Sequence, residues 1–321
     1  MENKNYNIKK IAILGAGVMG PGIAQSLAMG GYEVVMWTRS EETMQKARRT
    51  LYRGLETFAQ EEMIRADEVE EIYGRVTFRS AIADAVEGAD FILETIVENA
   101  EAKRALYDQL ADLTTEETIV ASNTSALNVF ELAPEKLLPR MLITHWYSPA
   151  QLIPLVEVVK SEQAPRAIAD AAVALLQRCG KTAVLMEKFI RGYIVNRILQ
   201  CLNREIFYLL DNGYCTPEDI DRACKASFIP RAMVLGLCKK IDFGGLDMTA
   251  NNFRNKSYTL PTFDGVPVYL ERLVSAGDLG VKTGKGFYDY RGTDTAELLE
   301  KRDRQLFEVF KLAEKLMEDP V

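Results

Sequence analysis

The chain has 321 residues, 48% hydrophobic and 26% charged, the make-up of an ordinary globular protein long enough for two domains. A net charge of −7 without a dense Lys/Arg stretch argues against a nucleic-acid partner, and no apolar run is long enough to span a bilayer. Cys179, Cys201, Cys215, Cys224 and Cys238 are scattered with no C-x-x-C pair, and the N-terminus has no secretory or transit pattern. Free thiols in a cytoplasmic protein are therefore expected, with no metal site and no disulfide framework.

Short apolar runs at residues 11–14, 34–37, 76–78, 91–95, 119–121, 141–144, 155–159 and 183–186 read as strands. Periodic segments at 21–29, 41–57 and 101–113 read as helices between the earlier ones. That alternation predicts a parallel, doubly wound sheet. Beyond about residue 188 the pattern turns helical, with segments expected at 193–211, 217–226, 231–248, 260–275 and 296–317. Thr216-Pro217-Glu218-Asp219 is a helix start, with a hydroxyl cap, proline at the first position and acids in the first turn. The expected fold is an α/β Rossmann-type doubly wound sheet over residues 1–188, then an all-α domain over residues 189–321.

Ile11-Ala12-Ile13-Leu14-Gly15-Ala16-Gly17-Val18-Met19-Gly20 is strand, tight turn and helix. Glycines there let the backbone turn sharply and approach a pyrophosphate at the positive end of the helix. The setting, after the first strand and before a helix, is what such a pattern needs. The second strand ends in Trp37-Thr38-Arg39-Ser40, where folds that prefer NAD usually carry an acid. Arg39 could face a 2′-phosphate with Thr38 and Ser40 as donors, or stack on the adenine of NAD. The expected cofactor is NAD(P), with a lean to NADP.

His145 is the only histidine, so any imidazole acid–base chemistry falls to it. Glu157 follows in a second apolar run, either as its partner or as an edge-strand residue facing solvent. Ser122-Asn123-Thr124-Ser125 could be a capping turn before a helix, and Asn196 a polar residue on an exposed helix face. Lys282–Gly286 reads as a structural turn rather than a phosphate cradle, since it leads no helix.

Taken in order, Gly15–Gly20, Glu94–Asn99, Ser122–Ser125, His145 with Glu157, Gly192–Arg197 and Lys282–Tyr288 resemble the 3-hydroxyacyl-CoA dehydrogenase family over nearly the whole chain. The resemblance implies that His145 is the general base, that Glu157 holds its other ring nitrogen, and that Ser125 and Asn196 bond the reacting oxygen. It sets Glu98 and Lys103 beside the nicotinamide ribose, and it implies a homodimer formed through the helical half. The family pattern H-F-F-N-P reads His145-Trp146-Tyr147-Ser148-Pro149 here, which puts Ser148 at a cofactor contact. Glu61-Glu62-Met63 stands where acyl-CoA members carry basic residues, and Gly236-Leu237-Cys238 replaces G-P-F. Carboxylates there would repel a phosphate-rich ligand.

These departures, the stretch 231–247 and the extra tail helix resemble the branch with L-carnitine dehydrogenase, L-gulonate 3-dehydrogenase and a pyridine-carboxylate dehydrogenase. In that branch Arg231 would clamp a substrate carboxylate, unless it is a solvated residue at a helix start. The expected activity is hydride transfer between a small 3-hydroxy acid and its 3-keto form. A 3-hydroxybutyryl-CoA dehydrogenase is the alternative, and a non-catalytic, crystallin-like nucleotide-binding protein is the alternative from another class.

Overall fold

The computed structural model describes residues 6–256 and 259–318. The chain divides into two compact units, residues 1–194 and 195–321.

The first unit holds one eight-stranded sheet in the order β3-β2-β1-β4-β5-β6-β7-β8. Its strands are β1 (Lys10–Leu14), β2 (Glu33–Trp37), β3 (Val76–Arg79), β4 (Phe91–Glu94), β5 (Ile119–Ser122), β6 (Met141–Trp146), β7 (Leu155–Lys160) and β8 (Thr182–Met186). The helices of this unit are α1 (Gly20–Met29), α2 (Glu41–Gln60), α3 (Val69–Gly74), α4 (Ile82–Val86), α5 (Ala100–Leu113) and α6 (Arg166–Arg178). Alternate strand residues serve opposite faces. Ile11 and Ile13 join Ile23, Leu51 and Leu175 in a core under α1, α2 and α6. Ala12 and Leu14 join Val86, Leu106 and Leu110 in a second core under α4 and α5. All eight expected strands are present, each within a residue or two of its expected bounds.

The expected parallel, doubly wound sheet is present with one exception in strand direction. β7 runs antiparallel to β6, whereas the other neighbouring pairs are parallel. Only residues 147–154 separate β6 from β7. A parallel return needs a crossover of a dozen or more residues, so this link can only double back. The helix α6 then carries the chain over to β8, which is parallel to β7, so the last two strands both run opposite to β1–β6.

The second unit contains α7 (Val195–Asp211), α8 (Pro217–Ala223), a π-helical turn (Cys224–Phe228), α9 (Ile229–Gly244), α10 (Leu246–Arg254), α11 (Val268–Ser275) and α12 (Thr295–Glu318). Thr216 caps α8 as its sequence indicates, accepting from the Asp219 backbone N–H. The helix expected over 231–248 is interrupted. Gly236 leaves helical geometry at φ 71° and Gly245 at φ 93°, conformations that suit glycine. The helix expected over 260–275 starts only at Val268, because Pro261 and Pro267 lack the N–H that a helix interior uses. α12 packs against α9 and buries Phe307. The stretch Lys282–Gly286 begins within a 3-10 turn (Val281–Thr283), and backbone pairing of Gly280 with Lys285 closes it into a structural turn.

Leu55 on α2 is fully buried in the first core. Leu55→Ala is expected to lower the unfolding free energy by about 2–5 kcal/mol, since the cavity left behind cannot fully close. Urea denaturation checks this through a lower midpoint at an unchanged slope, and a midpoint equal to the parent's would contradict the packing described.

Candidate active site

Strand order reverses between β1 and β4, and the loops leaving their carboxyl ends flank that point. Such a switch point is where open α/β sheets take ligands. After β1, Gly15 adopts φ 129°, and a Cβ there would lie 2.6 Å from the Thr95 carbonyl oxygen. A Cβ on Gly20 would meet the Gly15 carbonyl oxygen at 2.2 Å. These two glycines are required by the protein's own packing. Gly17 differs, since a Cβ there would meet no protein atom within 4 Å. Met19 precedes α1, whose first turn carries no acid, and Val18 is 88% exposed at the tip of the turn.

At the end of β2, Thr38 is buried while Arg39 and Ser40 are exposed. The Ser40 hydroxyl caps α2 by accepting from the Thr43 N–H. Glu61 ends that helix, and Glu62 and Met63 lie exposed just beyond it.

Two carboxylates organise the loops after β4 and β5. Glu94 is fully buried and accepts from Lys103 Nζ at 2.6 Å, Tyr107 Oη at 2.8 Å, Ser122 Oγ at 2.6 Å and the Ile96 N–H at 2.8 Å. Burial and the adjacent Glu94 charge push the Tyr107 phenol well above its ordinary range. Glu98 accepts from Thr124 Oγ1 at 2.6 Å and from the N–H groups of Ser125 and Ala126 at 3.0 and 2.9 Å. Burial works to raise the Glu98 pKa, but the Thr124 and backbone donors and the Lys103 charge outweigh it and leave it lowered. Lys103 is buried between the two acids, with its ammonium 3.4 Å from Glu98. Ser122 ends β5, and Thr124–Ala126 beyond it are held by Glu98; a 3-10 turn (Val129–Glu131) follows rather than the helix that the sequence could have capped. Ser125 is exposed.

His145 and Glu157 lie directly opposite each other in the β6–β7 register. Both are buried, and His145 Nδ1 sits 2.9 Å from Glu157 Oε2. A carboxylate only accepts, so Nδ1 carries a proton, and in the neutral ring Nε2 keeps the lone pair. Glu157 is thus not an edge residue facing solvent. It also accepts from Tyr147 Oη at 2.8 Å on Oε2 and from the Ile194 N–H at 2.9 Å on Oε1.

Tyr193 packs on the imidazole with ring centroids 4.6 Å apart and donates to the Thr124 carbonyl oxygen at 2.8 Å. It sits at φ 50°, uncommon for an aromatic residue, and so it stands ahead of α7 rather than within it. Asn123 accepts from the Trp146 N–H at 2.8 Å, tying the end of β5 to the end of β6. Sequence reasoning missed Tyr147, Tyr193 and the Glu94 cluster. The hydroxyl of Tyr147, where the family pattern reads Phe, was the one visible signal.

Ser148 is exposed on the loop after β6. In the second unit Asn196 is half-buried at the start of α7, and Arg231 is exposed on α9, donating to Ser227 Oγ at 3.0 Å. A cavity of about 640 Å³ is lined by Tyr6, Tyr32 and Arg178 among others and by none of these candidates.

Residues 10–189 match the family described as 3-hydroxyacyl-CoA dehydrogenase, NAD binding domain, and residues 192–290 match its C-terminal domain. The chain is 33% identical over 311 residues to 5-formyl-3-hydroxy-2-methylpyridine 4-carboxylate 5-dehydrogenase of Mesorhizobium japonicum, covering 96% of this chain and 99% of the relative. It is 33% identical over 286 residues to a probable 3-hydroxybutyryl-CoA dehydrogenase of Bacillus subtilis, covering 88% and 98%. A crystal structure of the pyridine-carboxylate 5-dehydrogenase, described as an NAD+ dependent dismutase, superposes with a TM-score of 0.84 at 30% identity, covering 96% and 99% of the two chains. The chain belongs to the 3-hydroxyacyl-CoA dehydrogenase family and, with it, to the NAD-dependent dehydrogenases that act on hydroxyl groups.

Proposed function

We propose that the protein interconverts a small 3-hydroxy acid and its 3-keto form, with His145 as general base and acid. The observation that carries this reading is the buried His145–Glu157 pair with Nε2 left free of the pair. In oxidation Nε2 takes the alcohol proton, and Glu157 stabilises the imidazolium that forms. When bound, NAD(P) would supply the acceptor for the hydride from the carbon that bears that hydroxyl. In reduction the imidazolium returns its proton to the oxygen. Ser125 and Asn196 are assigned to hydrogen-bond that oxygen, favouring the charge it gains as the proton moves.

The glycine turn fits a dinucleotide. Gly17 leaves space where any larger residue would stand, beside a helix start without acids. Val18, Met19, Gly15 and Gly20 complete that turn. Arg39, with Thr38 and Ser40, is assigned to the 2′-phosphate side, which favours NADP over NAD. Glu98, Lys103 and Ser148 are assigned to the nicotinamide side. Lys103 is buried, so it acts there by holding Glu98.

The match to the pyridine-carboxylate enzyme, over 96% of the chain against 88% for the B. subtilis relative, supports a small free acid over a CoA thioester. The exposed Glu62 at the position of the acyl-CoA members' basic residues supports it further. Arg231 is assigned to the substrate carboxylate. Domain limits at residues 188 and 189, a cytoplasmic location and a homodimer complete the reading. The exposed apolar residues Ile198, Leu199 and Leu202 on α7 support the dimer.

A screen of free β-keto acids and their CoA thioesters with NADH and NADPH tests this directly. Turnover of a free acid is expected, and turnover of acetoacetyl-CoA alone would reverse the substrate assignment. His145→Gln should reduce kcat/KM by about 10²–10⁴-fold while leaving cofactor affinity nearly unchanged; a variant that keeps most of its kcat would overturn the mechanism. Gly17→Val should fold as the parent does yet bind cofactor much more weakly, whereas Gly20→Ala should lose stability as well. Equal cofactor affinity in Gly17→Val and parent would remove the glycine turn from the site. Arg39→Ala should weaken NADPH by about tenfold more than NADH, corresponding to roughly 1.4 kcal/mol. Equal losses would mean that Arg39 stacks on the adenine instead.

A further inference from the structure

Glu157 Oε2 accepts two hydrogen bonds, one from His145 Nδ1 at 2.9 Å and one from the Tyr147 hydroxyl at 2.8 Å. Tyr147 is two residues beyond His145, just past the end of β6, and its ring meets the imidazole edge-on with centroids 4.6 Å apart. We propose that Tyr147 is a positioning residue that sets the strength of the His145–Glu157 pair by sharing its carboxylate oxygen. The inference rests on the acid–base role assigned to His145 and adds a residue that governs it.

A donor on a carboxylate oxygen draws charge away from it and favours the ionised form. The oxygen that Tyr147 bonds is the one that holds the imidazole. With Tyr147 in place, Glu157 pulls less strongly on the Nδ1 proton, and an imidazolium at His145 is less stabilised. The residue thereby makes His145 a weaker base towards the alcohol and its imidazolium a stronger acid towards the ketone. A phenylalanine ring in the same place would keep the packing and lose this effect.

Ionisable groups on the neighbouring segments make hydrogen bonds of their own. The Tyr193 phenol stacked on the imidazole donates to the Thr124 carbonyl oxygen. Glu98, from the loop after β4, is bonded to the Thr124–Ala126 turn and to Lys103. Lys181, just before β8, gives its ammonium to the carbonyl oxygens of Ala150 and Ile153 at 2.7 and 3.1 Å. Lys160 at the far end of β7 donates to the Ser161 carbonyl oxygen.

The single histidine makes the test direct, because one imidazole resonance in a proton NMR titration reports His145 alone. In Tyr147→Phe its midpoint is expected to rise by about 0.5–1 pH unit relative to the parent. The acidic limb of the kcat/KM profile for alcohol oxidation should rise by the same amount. In a Glu157→Gln background the Tyr147→Phe change should move neither appreciably, because the carboxylate charge that the two donors share is gone. An unchanged or lowered midpoint in Tyr147→Phe would overturn the proposal, as would a rise that persists in the Glu157→Gln background. Activity of His145→Gln separates the two levels. If that variant is active, the base assignment itself fails. If it is inactive while Tyr147→Phe titrates like the parent, only the role of Tyr147 fails.

Discussion

His145 and Glu157 meet because β7 turns back along β6 with these two residues in direct register. Opposite residues of an antiparallel pair project to the same face within side-chain reach, so the strand direction itself assembles the pair. A slip of one residue would move Glu157 to the other face and leave His145 facing Val156 or Val158. The short link at 147–154 imposes the reversal, and the segment ending at Ile194 brings the Tyr193 ring and a backbone donor to the pair. Each of these parts would lose its purpose in a uniformly parallel sheet.

Two buried carboxylates divide the work at the carboxyl end of this sheet, and their donors differ in kind. Glu94 faces a lysine, a phenol, a serine and a backbone N–H, which together fasten the loop after β4 to α5 and β5. A buried ion pair so fully bonded favours one arrangement of those loops over others more than it adds stability. Glu157 instead faces an imidazole, a phenol and a backbone N–H, and the imidazole is the one partner able to change charge near neutrality. The first carboxylate holds shape around the glycine turn. In the proposed mechanism the second leaves the protein a proton to exchange.

Much of this was legible in the sequence. Continuous apolar runs located the eight strands, and the turn Gly15–Gly20 announced its place before α1. The lone histidine and Glu157 stood out as a possible pair by type and family pattern. Their mutual orientation was not legible, because the alternation of runs suggests parallel strands and says nothing of a link too short to cross over. Tyr193 was hidden for a different reason. Its φ of 50° lies outside helical geometry, whereas the residues just after it form α7. The helix expected from residue 260 failed on the two prolines at 261 and 267, which the apolar spacing outvoted. Tyr147 stands where the family pattern reads Phe, and only the folded structure places its hydroxyl on Glu157.

A crystal structure of the protein with its nicotinamide cofactor and a 3-hydroxy or 3-keto acid tests the account most directly. It is expected to place His145 Nε2 within about 3 Å of the reacting oxygen while Nδ1 remains on Glu157. A complex in which the reacting carbon lies against the nicotinamide but another side chain, and not His145, contacts its oxygen would contradict it.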